Sequence, residues 1–186
     1  MRSEMPGGRA WKRSTGYAAY AACVCTAAYG LMKLAQALGA NALADKDPLP
    51  PDLRQRLLAR DPLFVAGHRV LFTVALVGIV IALATVRPWG RRFPRWILLA
   101  ATWTAGIFMI ARSFGPVGYG FIGDTLVLTG LRPPPQQHAE LARHLARWDL
   151  MLWSPFFLLW GLSWATTAWH FTRMVRTGRR KTGPGL

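Results

Sequence analysis

Long apolar runs alternate along this chain with short segments crowded with arginine. Four of the runs, residues 17–38, 63–86, 96–114 and 148–172, are each long enough to cross a hydrocarbon core of about 30 Å as a helix. The pattern predicts an all-α fold, a polytopic four-helix transmembrane bundle, and 186 residues leave no room beside it for a second, soluble domain. In the first run Ala18, Ala22, Thr26 and Gly30 recur at every fourth position and predict a small-residue stripe on which another helix packs closely in lipid. Lys33, three positions after Gly30, falls on or beside that stripe and is directed toward neighbouring helices. The second run opens at Asp61-Pro62, with proline suited to a first helical position.

The segment from Gly115 to Arg147 is the longest connection. Its first part, Gly115 to Gly123, is too rich in glycine for a helix, while Leu126, Val127, Leu128 and Leu131 are too apolar to stay in water. This part is expected to fold back over the outer end of the bundle, because non-helical backbone at membrane depth must be buried in protein or line a cavity. Arg132-Pro133-Pro134-Pro135 then forms a stiff extended stretch, and Gln136 to Arg147, with Leu141 and Leu145 four apart, reads as an amphipathic helix running into the fourth span. Residues 51–60 form a smaller analogue, with Leu53, Leu57 and Leu58 expected at the membrane surface. Ser154-Pro155 predicts a kink in the fourth span.

Lys12-Arg13, the first apolar run and Ala42-Leu43-Ala44 together imitate a secretory signal with its cleavage site. The run exceeds the usual apolar region of about 7–15 residues and contains Lys33 and Gln36, so a retained helix is expected.

Charge sets the orientation. Arg2, Arg9, Lys12 and Arg13 precede the first run, Arg87, Arg91, Arg92 and Arg95 separate the second from the third, and Arg173, Arg176, Arg179, Arg180 and Lys181 follow the fourth, opposed only by Glu4. The other two connections mix their basic residues with Asp45, Asp47, Asp52, Asp61, Asp124 and Glu140. The positive-inside rule puts both termini and the turn at 87–95 in the cytoplasm of a multi-pass protein of a bacterial plasma membrane. Trp11, Trp89, Trp96 and Trp169 then fall at the inner interface, and Trp148 and Trp153 at the outer. A net charge of +15 next to helix ends makes membrane lipid the expected partner, with anionic headgroups on the cytoplasmic side attracted by about 1 kcal/mol per basic residue. No motif for DNA or RNA accompanies the charge, so no nucleic-acid partner is predicted. A homo-oligomer or a protein partner stays open.

Lys33, His68, Arg69, Arg112 and Asp149 gather at one outer depth, with Asp149 the only acid expected among them. Charges inside a span are costly and commonly paired or functional. Arg69, Arg112 and Asp149 are also near enough to helix ends to snorkel as anchors. Trp153, Trp160 and Trp164, spaced by seven and four, share one side of the fourth span and either pack in the core or floor a pocket for a lipid-like or quinone-like ligand. The candidate ligand-binding residues are therefore Lys33, His68, Arg69, Arg112, Asp149 and Trp153. The span directions predict a Lys33–Asp149 ion pair, with Arg69 or Arg112 as the alternative partner of Asp149.

Catalytic readings fail on spacing. Cys23-Val24-Cys25 is not a redox motif, and residues two apart on a helix point to different sides. His138 and His144 match no zinc spacing, and His68 and His170 stand near opposite faces, unsuited to holding a haem between them. With neither a phosphate-binding glycine loop nor a nucleophile elbow, no catalytic residue, cofactor or metal is predicted. Two function classes remain: a non-enzymatic ligand-binding or accessory membrane component, and a small transporter or enzyme using Lys33, His68 and Asp149 for proton or substrate handling. The scarcity of span charges favours the first.

The run Tyr29-Gly30-Leu31-Met32-Lys33-Leu34-Ala35-Gln36-Ala37-Leu38-Gly39, the pair Gly123-Asp124 with Leu128-Thr129-Gly130-Leu131, and Trp148-Asp149 followed by Trp153-Ser154-Pro155-Phe156-Phe157-Leu158 and Gly161 carry a resemblance. The chain resembles small four-span actinobacterial membrane proteins classed as a domain of unknown function. An arginine content far above that of lysine fits such a GC-rich source. The resemblance implies the architecture and no activity. An acidic residue often precedes the helix-four proline in that family, whereas Ser154 stands there in this chain.

Overall fold

A computed structural model describes residues 7–40, 46–47, 49–115, 119–134 and 138–181, and within them all side chains but those of 7–15, 51–52 and 175–181. Among the described residues every regular element is helical: α1 (Gly7–Leu38), α2 (Pro51–Leu58), α3 (Pro62–Ala84), α4 (Arg95–Phe114), α5 (Phe121–Leu128), α6 (Ala139–Trp148) and α7 (Ser154–Lys181). A short 3-10 turn, Pro88–Arg92, links α3 to α4, and a π-helical turn, Asp149–Trp153, joins α6 to α7. The stretches Ala42-Leu43-Ala44 and Pro135-Gln136 lie outside the described residues, as do the basic side chains of both tails other than that of Arg173.

Three helical stretches are long and apolar enough to cross a membrane: Gly16–Leu38, Pro62–Ala84 and Arg95–Phe114, with mean hydropathies of 1.3, 2.1 and 1.5. α3 starts where Asp61 and Pro62 dictate. The Asp61 carboxylate accepts from the backbone N–H of Leu63 and Phe64, both at 3.0 Å, and Pro62 occupies a position where no N–H is missed. α7 is less apolar than these, because serine and threonine interrupt its aromatic and aliphatic positions.

Contacts between helices fix their directions. Thr26 and Gly30 of α1 face Gly78 and Ala75 of α3, so one number rises as the other falls and the pair is antiparallel. Gly106 and Ile110 of α4 face Ala165 and Gly161 of α7 in the same sense, and Thr26 and Tyr29 of α1 face Trp160 and Phe157 of α7. The packing order is α3, α1, α7, α4, with α3 and α4 only sparsely in contact although they are consecutive in the chain. The small-residue stripe does what its spacing predicts: Ala22, Thr26 and Gly30 are buried, and a Cβ on Gly30 would stand 2.8 Å from that of Ala75. α4 and α7 approach more closely still, since a Cβ on Gly161 would lie 2.8 Å from the Ile110 nitrogen. In lipid such backbone approach supplies the dispersion contact that holds helices together. The core between α1, α3 and α7 is built from Ala22, Cys25, Ala82, Trp153, Phe157, Trp160 and Trp164.

One end of the bundle carries the tight 85–94 turn; the other, where α1 and α4 finish, is capped by the two long connections. Two expectations change there. The segment Gly115–Gly123 is not wholly irregular, because helix α5 begins at Phe121 within it. Gly115 and Gly120 absorb the tight turn, Gly120 with φ +138° and no space for a Cβ beside the Gly115 backbone, and this frees the following residues to coil. Leu57 of α2 is also buried in protein, at 4 % exposure, while Leu58 beside it is exposed. α5 packs against the end of α4, α6 and the π turn, leaving Leu131 exposed. The disturbance expected at Ser154-Pro155 takes the form of the π turn just ahead of it, a wider coil where the proline ring cannot sit against an α-helical carbonyl four residues back.

Candidate functional site

Lys33 and Gln36 are three residues apart on α1 and share a face. After Leu38 the chain leaves the helix through Gly39, at φ +101°, and comes back with Lys46 and Asp47 against that face. The Lys33 ammonium donates to Gln36 Oε1 at 3.0 Å and to Asp47 Oδ2 at 3.1 Å, and Gln36 Nε2 donates to the same Asp47 oxygen at 2.9 Å. The triangle is closed, and all three residues are at most 6 % exposed. Its loop is pinned to α7 because Trp153 Nε1–H donates to the Lys46 carbonyl at 2.6 Å, with the Lys46 ammonium 4.7 Å from the Trp148 ring centre.

A second cluster sits at the same end between α4, α5 and the π turn. Arg112 Nη2 donates to Asp149 Oδ1 at 2.9 Å and Arg112 Nη1 to the Tyr119 carbonyl at 3.1 Å. Ser154 Oγ–H donates to the other Asp149 oxygen at 2.7 Å. Residues five apart do not face each other on an α-helix, so it is the π turn that lets Asp149 and Ser154 meet. Asp124 completes the group: its Oδ2 accepts the Gly120 N–H at 2.8 Å. Two buried carboxyls thus neighbour one guanidinium, which is bonded to Asp149. Burial, followed by the Asp149 carboxyl, pushes the Asp124 acid from 3.8 up to about 8, against the opposing pull of the Gly120 N–H and Arg112. These surroundings favour the neutral form of the Asp124 acid. Burial and the nearby Asp124 also push the Tyr119 phenol upward.

Aromatic rings fill the space between the clusters. Tyr29 meets Phe157 and Trp160 at centroid separations of 5.9 and 5.2 Å, the Arg112 guanidinium lies 4.9 Å from the Phe157 ring, and the Lys33 ammonium 5.4 Å from that of Tyr29. Two cavities flank this wedge. A groove of about 850 Å³ opens between α3 and α4, where the two helices part; Thr26, Tyr29, Trp160 and Trp164 floor it and Arg112 stands in its wall. A second cavity of about 730 Å³ lies between α1, α2 and α3, with Lys33, Arg56 and His68 in its lining.

The residues expected from sequence are only partly brought together. Lys33 pairs with Asp47 and not with Asp149, and Asp149 takes Arg112, the alternative partner. His68 is buried and its Nδ1 bonds the Phe64 carbonyl at 2.9 Å, leaving Nε2 without a partner among the described residues. Arg69, next to it, is exposed and joins neither cluster. Trp153 is buried, and its indole N–H ties α7 to the first connection. Asp149 is not the sole acid of the layer: Asp47 and Asp124, both from connections, are buried in it as well. Asp124 had a signal, an acid in the middle of the apolar stretch 121–128; Asp47, among several loop carboxylates, had none.

A profile of the family described as Protein of unknown function (DUF3995) matches residues 69–164, more than half of the chain. The chain belongs to this family. The matched stretch holds the whole Arg112 cluster and most of the groove, whereas Lys33, Gln36, Asp47 and His68 lie ahead of it. The family's description names no activity. No curated protein and no solved structure matches the chain.

Proposed function

We propose that this protein is a non-enzymatic, multi-pass membrane component that holds a membrane-borne amphipathic molecule in the groove between α3 and α4. α7 is read as a fourth span beside the three apolar helices. Its length and antiparallel packing on α1 and α4 support this, and the hydroxyls of Ser163, Thr167 and Thr172 donate to the helix's own carbonyls at 2.7–2.8 Å, removing their need for water. The excess of arginine at the 87–95 turn and in the tails supports a cytoplasmic position for that end, with the capped end outside.

The groove itself carries the functional reading. It is an open apolar cavity of about 850 Å³ with an aromatic floor, and among the described residues its only charged lining residue is Arg112, near the capped end. An apolar channel with one cation toward the headgroup region suits a chain-bearing molecule better than a soluble substrate. A diazirine-bearing phosphatidylcholine photolysed in nanodiscs tests the reading, with adducts mapped by peptide mass spectrometry. Adducts are expected on the groove residues Ala105 and Met109 above the level on Val77 and Ile107, which are exposed outside the groove, and Ala105→Trp should remove them. Even labelling of both sets would reject the groove as a binding site. Separately, cysteines introduced at 87–95 in intact cells should resist an impermeant thiol reagent, while one near Lys46 should react.

A further inference from the structure

The second cavity is as largely apolar as the groove and differs from it in charge. Among the described residues Lys33 and Arg56 are the cations of its lining, no acid lines it, and Leu63, Phe64 and Leu71 are part of its apolar wall. The Lys33 ammonium has three N–H donors, of which Gln36 and Asp47 take two. Because Asp47 balances Lys33, the exposed Arg56 leaves a net positive charge over the cavity. Tyr29 and Leu71 line both cavities. Tyr29 precedes Lys33 by one turn of α1 and Leu71 follows His68 by about one turn of α3, so the two cavities are neighbours that meet at these side chains, with the cationic one toward the capped end and the groove toward the middle of the helices.

We infer that the two cavities form one site for a single anionic phospholipid, its phosphate at Lys33 and Arg56 and one acyl chain passing Tyr29 and Leu71 into the groove. The inference rests on the reading of the groove as a lipid site. Charge runs in the order such a lipid needs: cations at the end of the bundle, apolar walls below. The occupant differs from lipid merely coating the bundle in that headgroup and chain are selected by separate parts of one cavity. Lys33, buried and held on two sides, is then a positioned cation.

The test uses the purified protein in nanodiscs holding equal phosphatidylglycerol and phosphatidylcholine, with diazirine acyl chains on one lipid at a time. Groove adducts from phosphatidylglycerol should exceed those from phosphatidylcholine at least fivefold. Arg56→Gln, a change at an exposed position that leaves the core intact, should reduce that preference severalfold while keeping the adducts, and Lys33→Met should abolish it. Leu71→Trp, which fills the junction, should remove groove adducts from both lipids. Equal labelling by the two lipids in the unchanged protein overturns the inference while leaving the groove site standing; no groove labelling overturns that site as well. Loss of the phosphatidylglycerol preference on adding millimolar inorganic phosphate at constant ionic strength would assign the outer cavity to free phosphate and overturn the single-lipid arrangement. Crosslinking of two copies through the groove in place of lipid adducts would also overturn it.

Discussion

The two ion pairs at the capped end are built from the same chemistry and differ in what they hold. Lys33, Gln36 and Asp47 come from one helix and the connection just after it, and their three hydrogen bonds close on each other. Arg112, Asp124, Asp149 and Ser154 come from α4, α5, the π turn and α7; the Arg112 bond joins α4 to the π turn and the Ser154 bond crosses that turn, while the Asp124 bond closes the start of α5. The first cluster is redundant, because Gln36 remains on Asp47 if the lysine goes. The second likewise keeps Ser154 on Asp149, but it holds two buried carboxyls beside its single cation. Buried ion pairs contribute little net stability while intact and cost much when half is removed, so the two should respond very differently to the loss of their cation.

Arg112→Ala gives the largest expected effect. It leaves Asp149, 0 % exposed, with the neutral Ser154 hydroxyl bonded to it and no cation, and should cost about 3–5 kcal/mol in denaturation measured in detergent. Lys33→Met should cost about 1–3 kcal/mol, since Asp47 keeps the Gln36 amide. Equal losses would erase the distinction. The pairings themselves are separable by double-mutant cycles: Lys33→Met with Asp47→Asn should depart from additivity by about 0.5–3 kcal/mol, whereas Lys33→Met with Asp149→Asn should add within about 0.5 kcal/mol. A coupling in the second cycle as large as in the first would mean that the clusters act as one.

The surplus carboxyl predicts a pH signature confined to the second cluster. Asp124 titrates near 3.8 in an unfolded chain and at about 8 in the fold, so between these values the folded state binds a proton that the unfolded state has released. Its contribution is fully present at the acidic end of this window, declines as pH rises, and levels off above pH 8. Asp124→Asn, which keeps a neutral side chain at every pH, should flatten this slope and be the more stable form at alkaline pH; an unchanged slope in the variant would show that Asp124 does not hold the proton. The smallest effects should come from single neutral donors, with Ser154→Ala and Gln36→Leu each costing about 1 kcal/mol; a much larger loss for Ser154 would mean the hydroxyl also sets the π turn.

Hydropathy located α3 and α4 almost to the residue, 63–86 and 96–114 against Pro62–Ala84 and Arg95–Phe114, because their ends coincide with proline and charge. It missed the start of α1 at Gly7, since apolar length marks what lies in lipid and not where the helix begins. The small-residue stripe and the tryptophan side of α7 were legible because both are periodic on a single helix. The partner of Lys33 was not, since it comes from a connection whose path no local pattern encodes. α5 was hidden by glycine content, yet two of those glycines serve the turn ahead of the helix, and Asp124 reaches back to the Gly120 N–H to stabilise its start.

The π turn makes the second cluster a matter of counting. A π turn accommodates one residue more than the α turn it replaces, so Asp149–Trp153 behaves as a one-residue insertion between α6 and α7. Each residue advances an α-helix by about 100°. Deleting the outward-facing Met151, 77 % exposed, would remove that extra residue and let the chain run on as continuous α-helix, with the segments on either side close to the register that the wider turn now gives them. Asp149 and Ser154 would then stand four residues apart, the spacing at which α-helical residues face each other, and their contact should survive in a shorter chain. The wide turn and the extra residue compensate each other, so at this position the match between turn width and chain length, and not the identity of the side chain, is what carries the information.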